Sequence, residues 1–183
     1  RSAAAAVFAA FGLAPLLAAA TQPDTAVWDA ILAARARNGG FDYRGADGQD
    51  RKRLAAYLVN LGDADPKAMG ADERKAFYLN AYNATAIAIV LERHPLASIR
   101  EVHGVFDSIR RKIGREMLTL DDVENRLRGF RDARFHFAIV CAARSSPPLA
   151  ARAQRVSSRK HEPLWGSASA EMCRMTHDDV SGS

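Results

Sequence analysis

The sequence predicts an α+β domain: a helical N-terminal half packed on a small, mostly antiparallel sheet. Three observations predict that class. Apolar residues recur at helical spacing in three stretches before Pro95. A hairpin pattern with a glycine turn follows Val105, and an alternating apolar run covers 134–140. A chain of 183 residues is enough for one domain with a real core.

The elements follow in order. Asp24 is placed to cap a first helix through Val27, Trp28, Ile31 and Leu32, which share one face. Asn38-Gly39-Gly40 ends it, and Phe41-Asp42-Tyr43 reads as a short extended piece. A second helix is expected from near Asp50, with Leu54, Tyr57, Leu58 and Leu61 on one side, stopping between Gly62 and Pro66. The third, from about Asp72 to Arg93, has its apolar face at Phe77, Ala81, Ala84, Ile87, Ala88 and Leu91.

Beyond the helices, Arg110–Ile113 and Glu116–Leu118 flank a turn at Gly114-Arg115. Thr119-Leu120-Asp121-Asp122 has the spacing of a capping box for a short helix to about Arg128, with Gly129 as its C-terminal turn. A strand is expected over Arg134–Val140. Phe135, Phe137 and Ile139 would face one way, and His136, Ala138 and Val140 the other.

Three parts of the chain are distinguished: residues 1–20, a domain over 21–152, and a divergent tail over 153–183. The opening RSAAAAVFAAFGLAPLLAAA is about membrane length, yet it is Ala-dominated and contains Pro15. It ends in Ala18-Ala19-Ala20 before polar Thr21-Gln22-Pro23-Asp24. That is the pattern of a secretory signal with a small-residue cleavage site, and it is favoured over an uncleaved anchor. The chain opens on Arg, so part of the signal is expected to precede it. A periplasmic or secreted location follows, with no membrane span left after signal removal. The tail has no sustained apolar period and is expected to be loose.

Composition narrows the partners. The net charge of +5 is modest, and Lys and Arg are interspersed with acids. Without an arginine-rich arm or an aromatic nucleic-acid signature, nucleic acid is not an expected partner. The two cysteines, Cys141 and Cys173, are too sparse for a disulfide framework. The five histidines are isolated, so neither a metal nor another cofactor is expected.

The polar residues that remain form one candidate site. HFAIVCAARSSPPL at 136–149 ends an apolar run in Arg144, Ser145 and Ser146, stiffened by Pro147-Pro148. Asn80 lies with or beside the apolar face of the long helix, and Asn83 follows one turn on. Each is either a structural amide tied to a neighbouring backbone or, with Tyr82, a wall of a pocket facing the 141–148 loop. Asn80 is expected to meet Arg144–Ser146. A cysteine nucleophile must be a thiolate with a base or cation nearby. On a regular strand Cys141 and His136 point to opposite faces, which favours a buried thiol for Cys141 and a structural role for His136. Ser146 would need a base and an oxyanion hole, and no motif announces either.

The segments FYLNAYNATAIAIVLERHP (77–95), TLDDVENRLR (119–128) and HFAIVCAARSSPPL (136–149), with the lead-in VWDAILAARARNGGFDY (27–43), resemble the domain-of-unknown-function 547 family. The resemblance spans about 24–152. It implies a distant papain-like or transglutaminase-like relationship, and with it a thiol site, on fold-level analogy alone. Family members read Ser-Cys-Pro-Pro where this chain has Ser145-Ser146-Pro147-Pro148, which leaves only Cys141 of the motif. Two readings stand. One is a binding module for a small peptide-like or thiol-containing ligand, without turnover. The other is an enzyme of the cysteine-hydrolase or acyl-transfer type, inactive at Ser146 or working through Cys141.

Overall fold

The long helix is the axis around which the rest is laid. The computed structural model describes residues 23–96, 98–139 and 149–155. It has the helices α1 (Ala26–Arg35), α2 (Gly48–Asp63), α3 (Ala71–Arg93) and α4 (Leu120–Arg128). The strands are β1 (Ala36–Arg37), β2 (Gly40–Phe41), β3 (Arg111–Ile113) and β4 (Glu116–Leu118), and short 3-10 turns lie at Pro66–Ala68, Ile99–Glu101 and Ala133–Phe137. The class is α+β.

Every residue of α3 from Lys75 to Leu91 is buried. The expected single apolar face is thus a helix covered on all sides, with α2 and α4 packed against it. Its other faces carry Ala76, Ala86, Tyr78 and Tyr82, which are small or amphipathic enough to be enclosed. α1 is joined to α2 by Trp28 stacked on Tyr57, with ring centroids 5.7 Å apart. The Asp24 carboxylate accepts from the Ala26 N–H at 2.9 Å, one residue outside the N-cap, which is Thr25 and makes no side-chain bond.

Among the described residues, the small antiparallel sheet that was expected takes the form of two separate hairpins. The first pairs Ala36 with Phe41 and Arg37 with Gly40 around Asn38-Gly39. Both turn residues have positive φ, 49° and 76°, as a two-residue turn matched to strand twist requires. Arg35, the last residue of α1 before this hairpin, ties it to α2 through its Nε, 2.6 Å from the buried Asp50 carboxylate. Asp47 accepts from the N–H groups of Gln49 and Asp50, so α2 starts at Gly48, two residues before its expected start.

The second hairpin pairs Arg111 with Leu118, Lys112 with Met117 and Ile113 with Glu116, as expected. Gly114 and Arg115 have φ 61° and 67°. Their N–H groups donate to Leu61 O and Gly62 O, each at 2.8 Å, and so satisfy carbonyls left open at the end of α2. A side chain on Gly114 would come within 2.5 Å of Pro66. Thr119 and Asp122 form the capping box of α4. Gly129, however, is helical at φ −59°, and the left-handed residue after α4 is Arg131, φ 55°.

The strand expected over Arg134–Val140 is not there. Asp132 accepts from the Arg134 N–H at 3.3 Å and opens the 3-10 turn Ala133–Phe137. Phe135, Ala138 and Ile139 are buried, a spacing of three and four rather than two, while His136 is exposed and Phe137 half-buried. A local cap competes with extended pairing wherever Asp precedes a short apolar run. Val140 lies outside the described residues. Among the described residues, no helix is long and apolar enough to cross a membrane; residues 1–20 fall outside them.

Candidate functional site: a frame of buried amides

Residues three apart on a helix share a face, so α3 presents Asn80 and Asn83 together. Asn83 Nδ2 donates to the carbonyl of Ala138 at 2.8 Å. Asn80 Nδ2 donates to the carbonyl of Gln154 at 2.9 Å, and its Oδ1 accepts from the Gln154 N–H at 2.8 Å. One carboxamide thereby pairs both main-chain groups of one residue, standing in for a neighbouring strand. Both asparagines are buried, at 2% and 5% exposure, where an unpaired amide would be costly.

Two further main-chain bonds complete the frame. The Leu149 N–H donates to Gly39 O at 2.7 Å, and the Ala153 N–H donates to Asp29 Oδ1 at 2.7 Å. The Arg155 guanidinium also pairs with Asp29. The chain before 140–148 is therefore held at Ala138, and the chain after it at Leu149, Ala153 and Gln154. The partners come from α1, the Asn38-Gly39 turn and α3. Irregular chain has no ladder to satisfy its N–H and C=O groups, so side chains and turns must do so. The expected end of the domain at 152 falls inside this fastened stretch, and residues 156–183 of the expected tail lie outside the described residues.

An ion pair fixes the chain upstream. Lys75 Nζ of α3 lies 2.8 Å from Asp132 Oδ2, with side-chain exposures of 10% and 13%. Asp132 also binds Arg134 Nε at 2.7 Å. The Arg134 hydrogen bond and the Lys75 ammonium outweigh desolvation and hold the Asp132 carboxyl well below the usual carboxylate range.

Of the residues expected at the site, Asn80 and Asn83 come together as the amides just described. Tyr82 is buried in the core at 1% exposure. His136 is exposed, with its ring tilted over Phe135 at a centroid distance of 3.9 Å. Cys141, Arg144, Ser145 and Ser146 lie outside the described residues, and so does the contact expected between Asn80 and Arg144–Ser146. The sequence reasoning missed Asp29, Lys75, Asp132 and Gln154. Only Asp132 carried a local signal, as a capping residue two before Arg134; the others act across more than fifty residues of chain.

Ala133–Phe137 is a 3-10 turn, so the alternation expected of a strand, with His136 and Cys141 on opposite faces, does not apply; Cys141 lies outside the described residues. Among the described residues, Thr85 Oγ1 and Gln154 Oε1 are buried without a hydrogen-bond partner, and no cluster of three His, Cys, Asp or Glu could hold a metal ion.

Comparison with known proteins gives one finding. The family model described as "Protein of unknown function, DUF547" matches residues 66–159. No curated protein and no solved structure matches the chain. The match includes the three motifs at 77–95, 119–128 and 136–149, leaves out the lead-in at 27–43, and runs past the expected limit near 152. Covering just over half of the 183 residues, it shows that the chain belongs to the DUF547 family.

Proposed function

We propose that the protein is an exported binding module that takes a small peptide-like or thiol-containing ligand, without turnover, between α3 and the 141–148 segment. The observation that carries this reading is the pair of amide clasps at Ala138 and Gln154. Loops that bind ligands are held at their ends by a rigid scaffold, and here one helix fastens the chain on both sides of 140–148. Arg144 and Ser145 would contact the ligand. Asn80 and Asn83 are positioning residues, since their buried amides serve the frame, and Tyr82, buried between them on α3, would wall the pocket. The unpartnered Gln154 Oε1 offers an acceptor next to Asn80. The Ala-rich residues 1–20 support export, and mature protein from the native host is expected to begin at or near Thr21. Recovery of residues 1–20 on soluble cytoplasmic protein would contradict that.

A second reading follows from the missing strand: Cys141 acting as a nucleophile with His136 in a cysteine-hydrolase or acyl-transfer reaction. One experiment separates the two. In a Cys173→Ser background, the rate of Cys141 alkylation by iodoacetamide is followed against pH. The binding module predicts a thiol that labels slowly and titrates at or above the free value of about 8.5. A fast-labelling thiol with a depressed pKa, lost in His136→Ala, would establish the enzyme reading instead.

A further inference from the structure

The loop from Ser98 to Ile109 has no strand, yet its shape is fixed. Ser98 and Glu101 form a reciprocal capping box. The N–H groups of Val102, Val105, Ser108 and Ile109 donate back to Ile99, Val102 and, twice, Gly104. The Asp121 N–H, in the first turn of α4, donates to Phe106 O at 2.9 Å. Ile99, Val102 and Val105 are buried beneath it. Gly104, at φ +66°, could carry no side chain without meeting Ser108 at 2.7 Å. Such a loop presents its remaining side chains in one geometry.

What it presents is a shallow cavity of about 510 Å³, within the usual range for small-molecule sites. Arg100, His103, Asp107 and Asp121 line it, over a floor formed in part by Val102, Val105 and Phe106. Among the described residues, the Arg100 guanidinium, the His103 imidazole and the Asp121 carboxylate have no hydrogen-bond or ion-pair partner. Asp107 accepts from the hydroxyl of neighbouring Ser108, at 2.8 Å, and from no other described residue. The adjoining hairpin is the reverse case, because Arg110, Arg111, Lys112 and Arg115 each have a carboxylate partner.

We infer that this cavity binds a small zwitterion with an apolar side chain, an amino acid or dipeptide with free termini. Its ammonium group would lie against Asp107 and Asp121, its carboxylate against Arg100, and its side chain on the Val102–Phe106 floor. Charges of both signs sharing one cavity match a ligand that carries both. The excess of carboxylate over guanidinium makes the ammonium contact the stronger of the two. None of the residues that line it belongs to the 140–148 segment.

The test is calorimetric titration of the full chain with the dipeptide Ala-Phe, its N-acetyl form and its C-terminal amide. The free dipeptide should bind saturably. N-acetylation should weaken binding roughly tenfold or more, and amidation by less. In an Asp107→Asn/Asp121→Asn variant the free and acetylated forms should bind alike. In Arg100→Gln the free and amidated forms should bind alike. All three side chains are exposed, so these variants should melt as the parent does. Absence of saturable binding, equal binding of blocked and free forms to the parent, or discrimination that survives the substitutions would overturn the inference.

Discussion

The β3–β4 hairpin and the stretch from 132 to 155 both close against the helices, but their backbones are satisfied in opposite ways. The hairpin pairs its own strands and spends its turn N–H groups on the end of α2. Its basic residues pair with exposed or half-buried acids. The 132–155 stretch has no strand among its described residues. It is held by Asn80, Asn83, Asp29 and the Lys75–Asp132 pair. Where the ladder supplies the bonds, surface charges are secondary. Where side chains supply them, removing one leaves a buried main-chain group without its hydrogen bond or a buried ammonium without its carboxylate.

The largest effect expected from that difference is at Asp132. Asp132→Ala takes from the largely buried Lys75 ammonium its carboxylate at 2.8 Å, and should cost about 3 kcal/mol in urea unfolding at neutral pH. The pair also sets a pH dependence. Because the folded pKa of Asp132 is depressed, its contribution is complete above the unfolded value of about 3.9 and fades as pH falls below it. Unfolding free energies measured from pH 6 down to pH 2 should therefore fall less steeply in Asp132→Asn than in the parent. Equal slopes would remove the ion pair from the account.

Asn80→Ala comes next. It orphans both the N–H and the C=O of Gln154, and about 2–3 kcal/mol is expected. Gly114→Ala attacks the hairpin through its turn rather than its charges. The positive φ and the contact with Pro66 should together cost about 2 kcal/mol. Lys112→Ala removes a pair with side-chain exposures of 57% and 64% and should cost less than about 1 kcal/mol. A loss at Lys112 as large as at Asn80 would erase the distinction between the two regions.

The same contrast explains what could be read from the chain. The hairpin was legible because glycine in a two-residue turn, flanking strand pattern and a capping box are neighbours in sequence. Asn38-Gly39 carries an equally strong hairpin signal, although it also fits the stop of the preceding helix. The 132–155 stretch was illegible for a different reason. Phe135, Phe137 and Ile139 alternate like a strand, while the interactions that set the backbone come from Asp132 locally and from Lys75, Asn80 and Asn83 more than fifty residues away. Asn80 and Asn83 could be marked as polar groups needing partners. Which partners was a matter of tertiary structure.

Amide hydrogen exchange at Gln154 tests the frame most directly. Its N–H donates to Asn80 Oδ1 within the core, so it should exchange as slowly as amides in the middle of α3. In Asn80→Ala the Gln154 amide should lose that protection while Ile87 and Ala88 of α3 keep theirs. A Gln154 amide that exchanges rapidly in the parent protein, or is as protected in Asn80→Ala as before, would contradict the frame.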